Sequence, residues 1–184
     1  MDTKPRNTLI KAEGLAGSKH PGAYRKPAAL RCVLCRITLL LIMDNQARRA
    51  AIRWTYDPPD PETFGALFET TGWNDSYRAT VSDLGLALDR SWKVISAYEG
   101  NELVGVGRVV SDGSLHAMIY DLIVRPSHQG QGIGSAILKK LVSACRTEGI
   151  RDIQLFSASG KAGFYERHGF RPRPADAPGM ELVE

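Results

Sequence analysis

From Ala51 onward the spacing of apolar and polar positions changes several times, and each change marks an element. Alternation and β-branched residues over Ala51–Tyr56 predict a strand, which Asp57-Pro58-Pro59 closes. Asp60 suits a helix N-cap, and Thr63–Thr71 reads as a short helix ended by Gly72. Trp73-Asn74-Asp75-Ser76 is a loop ahead of a second helix, Val81–Asp89. Trp92–Tyr98 and Leu103–Val110, joined by Glu99-Gly100-Asn101, form a hairpin. Ser111-Asp112-Gly113-Ser114 then turns the chain into a long apolar strand, Leu115–Val124. In Gly132–Thr147 the residues Ile133, Ile137, Leu141 and Cys145 recur every four positions, the stripe of an amphipathic helix. A strand at Ile153–Phe156, a helix at Lys161–His168 and short strands at Phe170–Arg173 and Met180–Val183 complete the pattern. The order β-α-α-β-β-β-α-β-α-β-β describes a mixed α/β fold, with one mixed sheet of about six or seven strands flanked by about four helices.

Charge changes the picture at the N-terminus. Residues 1–50 carry ten Lys/Arg against three Asp/Glu, whereas residues 51–184 carry fourteen against seventeen. The net charge of +4 therefore comes from a leader, and the rest of the chain is mildly acidic. Residues 1–29 have almost no apolar periodicity and cannot offset their ordering entropy, so they read as disordered. The apolar run Leu30–Met43 is interrupted by Arg31 and Arg36 and is shorter than the roughly 20 residues a membrane span needs. Three readings of the leader stay open: a basic targeting arm, an extra element packed on the domain, and a passive extension. Met43-Asp44 repeats Met1-Asp2 and offers an alternative start, so residues 1–48 are set apart as an extension and residues 49–184 as the domain. Cys32-x-x-Cys35 lacks a second ligand pair, so no metal site is expected. Three cysteines, an odd count, favour a reducing compartment and a cytoplasmic protein.

The segment richest in chemistry is Asp121-Leu122-Ile123-Val124-Arg125-Pro126-Ser127-His128-Gln129-Gly130-Gln131-Gly132-Ile133-Gly134. A strand feeds a glycine loop, and a helix begins at once. Loop glycines let the backbone approach a ligand, and unpaired N–H groups at the positive helix end make an anion site suited to a pyrophosphate. One helix-end contact is worth about 0.3–1 kcal/mol, so several must act together. The spacing G-x-G-x-G departs from the dinucleotide fingerprint, and the absence of Gly-Lys-Ser/Thr excludes a P-loop.

With these residues the chain resembles the GNAT acetyltransferases. Gln129-x-x-Gly132-x-Gly134 matches the family's acyl-CoA pyrophosphate signature and follows a Leu122-Ile123-Val124-x-Pro126 strand end. Phe164-Tyr165-Glu166-Arg167-His168-Gly169-Phe170 resembles the family's second hallmark, and the element order from Ala51 to Glu184 fits as well. The leader lies outside the resemblance. It implies that acetyl-CoA is the co-substrate and that no metal takes part. The backbone of Leu122, Ile123 and Val124 would pair with the pantetheine arm, and Gln129, Gly130, Gln131, Gly132, Ile133 and Gly134 would hold the pyrophosphate. The Leu122 N–H would be the oxyanion donor, and Tyr165 the acid for the departing thiolate. Against that, Tyr165 reads plainly as a core aromatic with a hydrogen-bonded tip.

The amine's proton is harder to place. An alkylamine with a pKa of about 10.4 is mostly protonated at neutral pH, a penalty of about 4–5 kcal/mol. Family members carry a base at positions matching Met118 or Tyr120, and Met118 cannot accept a proton. We therefore expect a water chain touching Tyr120, or a weakly basic arylamine substrate that needs no base. His116 and Asp121 are substitutes in principle, although strand alternation puts Asp121 on the face opposite Tyr120. Glu69, Trp73 and Asp121 are the candidate acceptor-side residues; Trp73 equally reads as a cover on the core. His128 is either a phosphate contact or a solvated loop residue, and His168 reads as a helix C-terminal cation. Ala158 stands where the family often has an Asn that touches the coenzyme. Arg171, Arg173 and Pro174 border the acceptor side in the resemblance.

The expected activity is acetyl transfer from acetyl-CoA to the primary amine of a small molecule, an arylalkylamine, polyamine or amino sugar, by direct attack in a ternary complex. Holding both reactants in one cleft contributes about 7–11 kcal/mol. The alternatives are protein N-terminal or lysine acetylation and a non-catalytic acyl-CoA-binding regulator. Nucleic-acid binding is not expected, because the basic leader lacks interleaved aromatic residues. No membrane partner is expected, and the resemblance allows a homodimer paired through edge strands.

Overall fold

The computed structural model describes residues 52–182, which belong to one unit. The basic leader, the Cys32/Cys35 pair, the Met43 start and Ala51 lie outside the described residues. Five strands form one sheet in the order β1-β2-β3-β4-β5: Ile52–Thr55, Lys93–Glu99, Glu102–Ser111, His116–Val124 and Asp152–Leu155. The first four pair antiparallel, and β5 joins β4 in parallel through the crossover helix. The α-helices are α1 (Pro61–Phe68), α2 (Asn74–Tyr77), α3 (Val81–Asp89), α4 (Ile133–Thr147) and α5 (Ala162–Glu166).

Local chemistry accounts for the helix ends. Asp60 Oδ1 accepts from the Thr63 N–H at 2.8 Å, with Pro61 at the first helical position. Thr80 and Asp83 close a reciprocal capping box on α3. Asn74 Oδ1 accepts from the Ala79 N–H, while its Nδ2 donates to Glu69, so the expected loop at Trp73–Ser76 winds into the extra helix α2.

The strands expected at Phe170–Arg173 and Met180–Val183 do not form among the described residues. Pro172, Pro174 and Pro178 each remove a backbone donor, so this tail cannot add a ladder beside β5. Arg173 serves it twice: Nε donates to Ala177 O at 2.9 Å within the tail, and Nη1 lies 3.5 Å from Gln154 Oε1 in β5.

Each sheet face carries its own core. On one face the α4 stripe Ile133, Ile137, Leu141 and Cys145 packs on Ile95, Ala97, Val109, Ala117 and Ile119. On the other, Phe64, Leu67, Leu84 and Leu88 from α1 and α3 pack on Val94, Leu103, Val106 and Ile123. Close approach of α4 depends on two glycines in β3. A Cβ at Gly107 would lie 2.6 Å from Ile137 Cγ2, and one at Gly105 would lie 3.0 Å from Ile133 Cγ2. No described helix is long and apolar enough to cross a membrane.

Candidate active site

The ladder between β3 and β4 slips in the middle. Val106 faces Ile123, yet Arg108 faces Tyr120, so Asp121 and Leu122 together oppose Gly107. This is a β-bulge with its extra residue in β4. Asp121 adopts φ +48°, one of two described non-glycine residues at positive φ. That conformation costs an ordinary residue about 1–2 kcal/mol, and Asp is among the few that visit it.

The bulge overturns the alternation expected for Asp121. Ile119, Leu122 and Val124 all pack toward the α4 core, whereas Ile123 packs toward α1 and α3. Tyr120 and Asp121 therefore share the α1/α3 side, and both meet Arg108. Arg108 Nε donates to Asp121 Oδ2, and the guanidinium carbon lies 5.1 Å from the Tyr120 ring centre. Both ends of the ion pair are mostly buried, at 16% and 14% exposure. Arg108 is the residue that sequence reasoning missed. Its signal was a lone cation in the apolar run Leu103–Val110, with a lone acid in the apolar run that follows.

Beyond Ile119 and Leu155 the strands β4 and β5 no longer pair, which leaves β4 from Tyr120 to Val124 with a free edge. The Arg125 N–H donates to Val104 O at 2.9 Å, so the Val124 carbonyl of the same peptide points off that edge. There it accepts from Gln129 Nε2 at 3.0 Å. The Gln129 side chain thus ties the glycine loop back to the strand and leaves the loop backbone to face a ligand. Gly130 and Gly132 hold φ +75° and +85°, a region that suits glycine. Gly132 caps α4 without a side-chain bond, so the first N–H groups of the helix, from Ile133 onward, keep no intrahelical partner. Gln131 Nε2 donates to Ser127 O at 3.2 Å. A free strand edge running into a cradle of unpartnered donors fits an extended arm ending in a pyrophosphate.

Helix α5 crosses the head of this cradle. A Cβ on Gly134 would lie 3.5 Å from Val124 Cγ2 and 3.7 Å from Phe164 Cζ, so strand end, helix start and α5 meet at one point. Tyr165 follows Phe164, packs edge-on to it and to Phe170, and is half buried. Burial pushes its phenol above the ordinary value of 10.0. His168 Nδ1 donates to Phe164 O at 2.8 Å, so its imidazole is tied to the helix. Ser157 Oγ donates to Ala158 O beside the position of the missing Asn.

The acceptor-side candidates are only partly gathered. Tyr120 stays 38% exposed on the α1/α3 side. Trp73 stacks edge-on to Phe68 at 6.0 Å and covers that core. Glu69 is exposed and accepts from Asn74 Nδ2 at 2.6 Å. His116 pairs with Asp152 at 2.9 Å, at the far end of β4 from the bulge. His128 is neither solvated nor aimed at the loop, since its Nε2 lies 3.0 Å from Glu99 Oε2 and the ring is 12% exposed. Two surface cavities, about 580 Å³ beside Arg146 and Phe170 and about 340 Å³ beside His116 and Gln154, lie off the free edge. No metal-binding group of His, Cys, Asp or Glu exists among the described residues.

Known proteins share this fold. A family model described as an acetyltransferase (GNAT) domain matches residues 90–172. The chain is 36% identical over 126 residues to the histone acetyltransferase TAP1 of Glycine max, covering 62% of this chain and 53% of that one. It is 35% identical over 142 residues to the chloroplastic GCN5-related N-acetyltransferase 1 of Arabidopsis thaliana, covering 76% and 71%. The solved structure of a GNAT-family acetyltransferase from Streptococcus pneumoniae TIGR4 superposes with a TM-score of 0.62 at 30% identity, over 72% of this chain and 98% of that one. The chain belongs to the GNAT acetyltransferase family. It spans about half the length of the Glycine max relative.

Proposed function

We propose that the protein transfers an acetyl group from acetyl-CoA to the primary amine of a small molecule, an arylalkylamine, polyamine or amino sugar. The observation that carries this reading is the convergence of three features at Gly134: the free edge of β4, the uncapped start of α4, and the helix that bears Tyr165. Acetyl-CoA supplies an activated thioester. Backbone groups of Leu122, Ile123 and Val124 bind its arm as an added strand, and the donors from Gln129 to Gly134 hold its pyrophosphate. The Leu122 N–H faces the carbonyl oxygen as charge develops there; loss of such a donor typically costs about 100-fold in rate or more. Tyr165, kept protonated by burial, gives a proton to the leaving sulfur. The amine's proton leaves through water ordered by Tyr120, because Asp121 is engaged by Arg108. Glu69 and Trp73 line the acceptor mouth. A reducing, cytoplasmic setting and pairing into a homodimer complete the proposal.

A protein amine is the second reading, favoured by the likeness to a relative named a histone acetyltransferase. One assay separates the two. Thiol release from acetyl-CoA is followed with a panel of arylalkylamines, polyamines and amino sugars, and in parallel with lysine-rich and free N-terminal peptides. The expected result is small-amine-dependent release that falls at least about tenfold in Tyr165→Phe with little change in KM for acetyl-CoA. Release only with peptides moves the acceptor to proteins, and tight acetyl-CoA binding without release makes the protein a regulator.

A further inference from the structure

In the proposed mechanism the Arg108–Asp121 ion pair, mostly buried at both ends, only keeps Asp121 from acting as a base. Arg108 sits in the middle of β3, held by Asp121 Oδ2, by the Tyr120 ring and by Ser91 Oγ, 3.5 Å from Nη1. An ion pair at this depth is weak evidence of stability, since an apolar pair of similar volume often does as well. Its geometric effect is specific. Asp121 is the left-handed residue of the bulge, and the bulge decides which way Leu122 and Val124 face. Uninterrupted alternation would put Leu122 on the Tyr120 side; the inserted residue turns it toward α4.

We infer that Arg108 is a positioning residue for acetyl transfer: by holding the Asp121 carboxylate across the β3–β4 ladder, it keeps the bulge in register. In doing so it aims the Leu122 amide and the free edge of β4 into the cleft. The same contact takes the Asp121 carboxylate out of competition for the amine's proton and leaves Tyr120 facing the acceptor. The inference rests on the acetyl-transfer reading for its catalytic consequence and on the ladder alone for its structural one.

The test exploits the freedom of glycine at positive φ. Wild type, Arg108→Met, Asp121→Gly and the double variant are compared by amide hydrogen exchange at Tyr120–Val124 without ligand, by acetyl-CoA affinity and by turnover. Arg108→Met should exchange at least about tenfold faster at these amides than wild type, with β2 amides unchanged, because the opening is local. Its turnover should fall about tenfold or more while KM for the amine moves less than about threefold. In the double variant, exchange and turnover should return to those of Asp121→Gly alone, because a glycine in the left-handed position holds the bulge without a tether. Arg108→Lys, which keeps a cation beside Asp121, should lie between wild type and Arg108→Met and serves if the Met variant fails to fold. A double variant as impaired as Arg108→Met, an Arg108→Met protein indistinguishable from wild type, or an Arg108→Lys protein no better than Arg108→Met overturns the inference. If wild type turns over no amine, the acetyl-transfer reading fails while the exchange comparison still decides the role of Arg108.

Discussion

Tyr165 shows how much a single position owes to its surroundings. The family resemblance proposes it as the acid through its motif, and burial against Phe164 and Phe170 would give such an acid its physical condition. Desolvation disfavours the phenolate, so the phenol stays protonated past its ordinary value of 10.0. An acid must be protonated to act, so its loss would appear only above about pH 10. The kcat/KM profile with an alkylamine should therefore rise with pH as the amine deprotonates and show no fall below about pH 10. A falling limb centred near pH 8 would assign the acid to another group. His128 and Asp121 were legible as residues but not in their roles. Their partners, Glu99 and Arg108, lie 29 and 13 positions away, and no local pattern pairs them.

At the scale of elements, the crossover from β4 through α4 to β5 was readable because α4 carries a long amphipathic stripe between two apolar runs. What the apolar count hid is how close α4 lies to the sheet. Gly107→Ala puts a methyl against Ile137 Cγ2, on a β-branched side chain with little rotamer freedom in a helix. We expect a loss of about 1–3 kcal/mol in urea unfolding for this substitution. Gly134→Ala, in the first turn of α4, meets only ordinary contacts with Val124 and Phe164, so it should leave stability equal or raise it by up to about 1 kcal/mol. The opposite order would mean that α4 docks differently. The tail beyond Phe170 was misread for a related reason. Its apolar residues suggested strands, but prolines at positions 172, 174 and 178 remove the donors that a ladder needs.

Across the whole molecule, ties between distant segments hold the glycine loop. His128 reaches Glu99 at the end of β2, and Arg125 reaches Glu102 at 2.8 Å and the Leu103 carbonyl in β3. These contacts anchor the turn after β4 to the β2–β3 hairpin and so fix the start of the glycine loop. Glu99→Gln should raise KM for acetyl-CoA about two- to fivefold with kcat within about twofold, since it loosens binding without touching the reacting atoms. An unchanged KM would show that Gln129 and the loop glycines suffice. The sequence by itself determined the order of elements from β1 to α5 apart from α2, the amphipathic stripe of α4, the glycine loop and the family, because each rests on residues near one another in the chain. Tertiary structure alone decided the slip in the β3–β4 ladder, the face taken by Asp121 and the engagement of Arg108. Register between two strands depends on side chains that meet only after the sheet has formed, and a one-residue bulge reverses every facing beyond it.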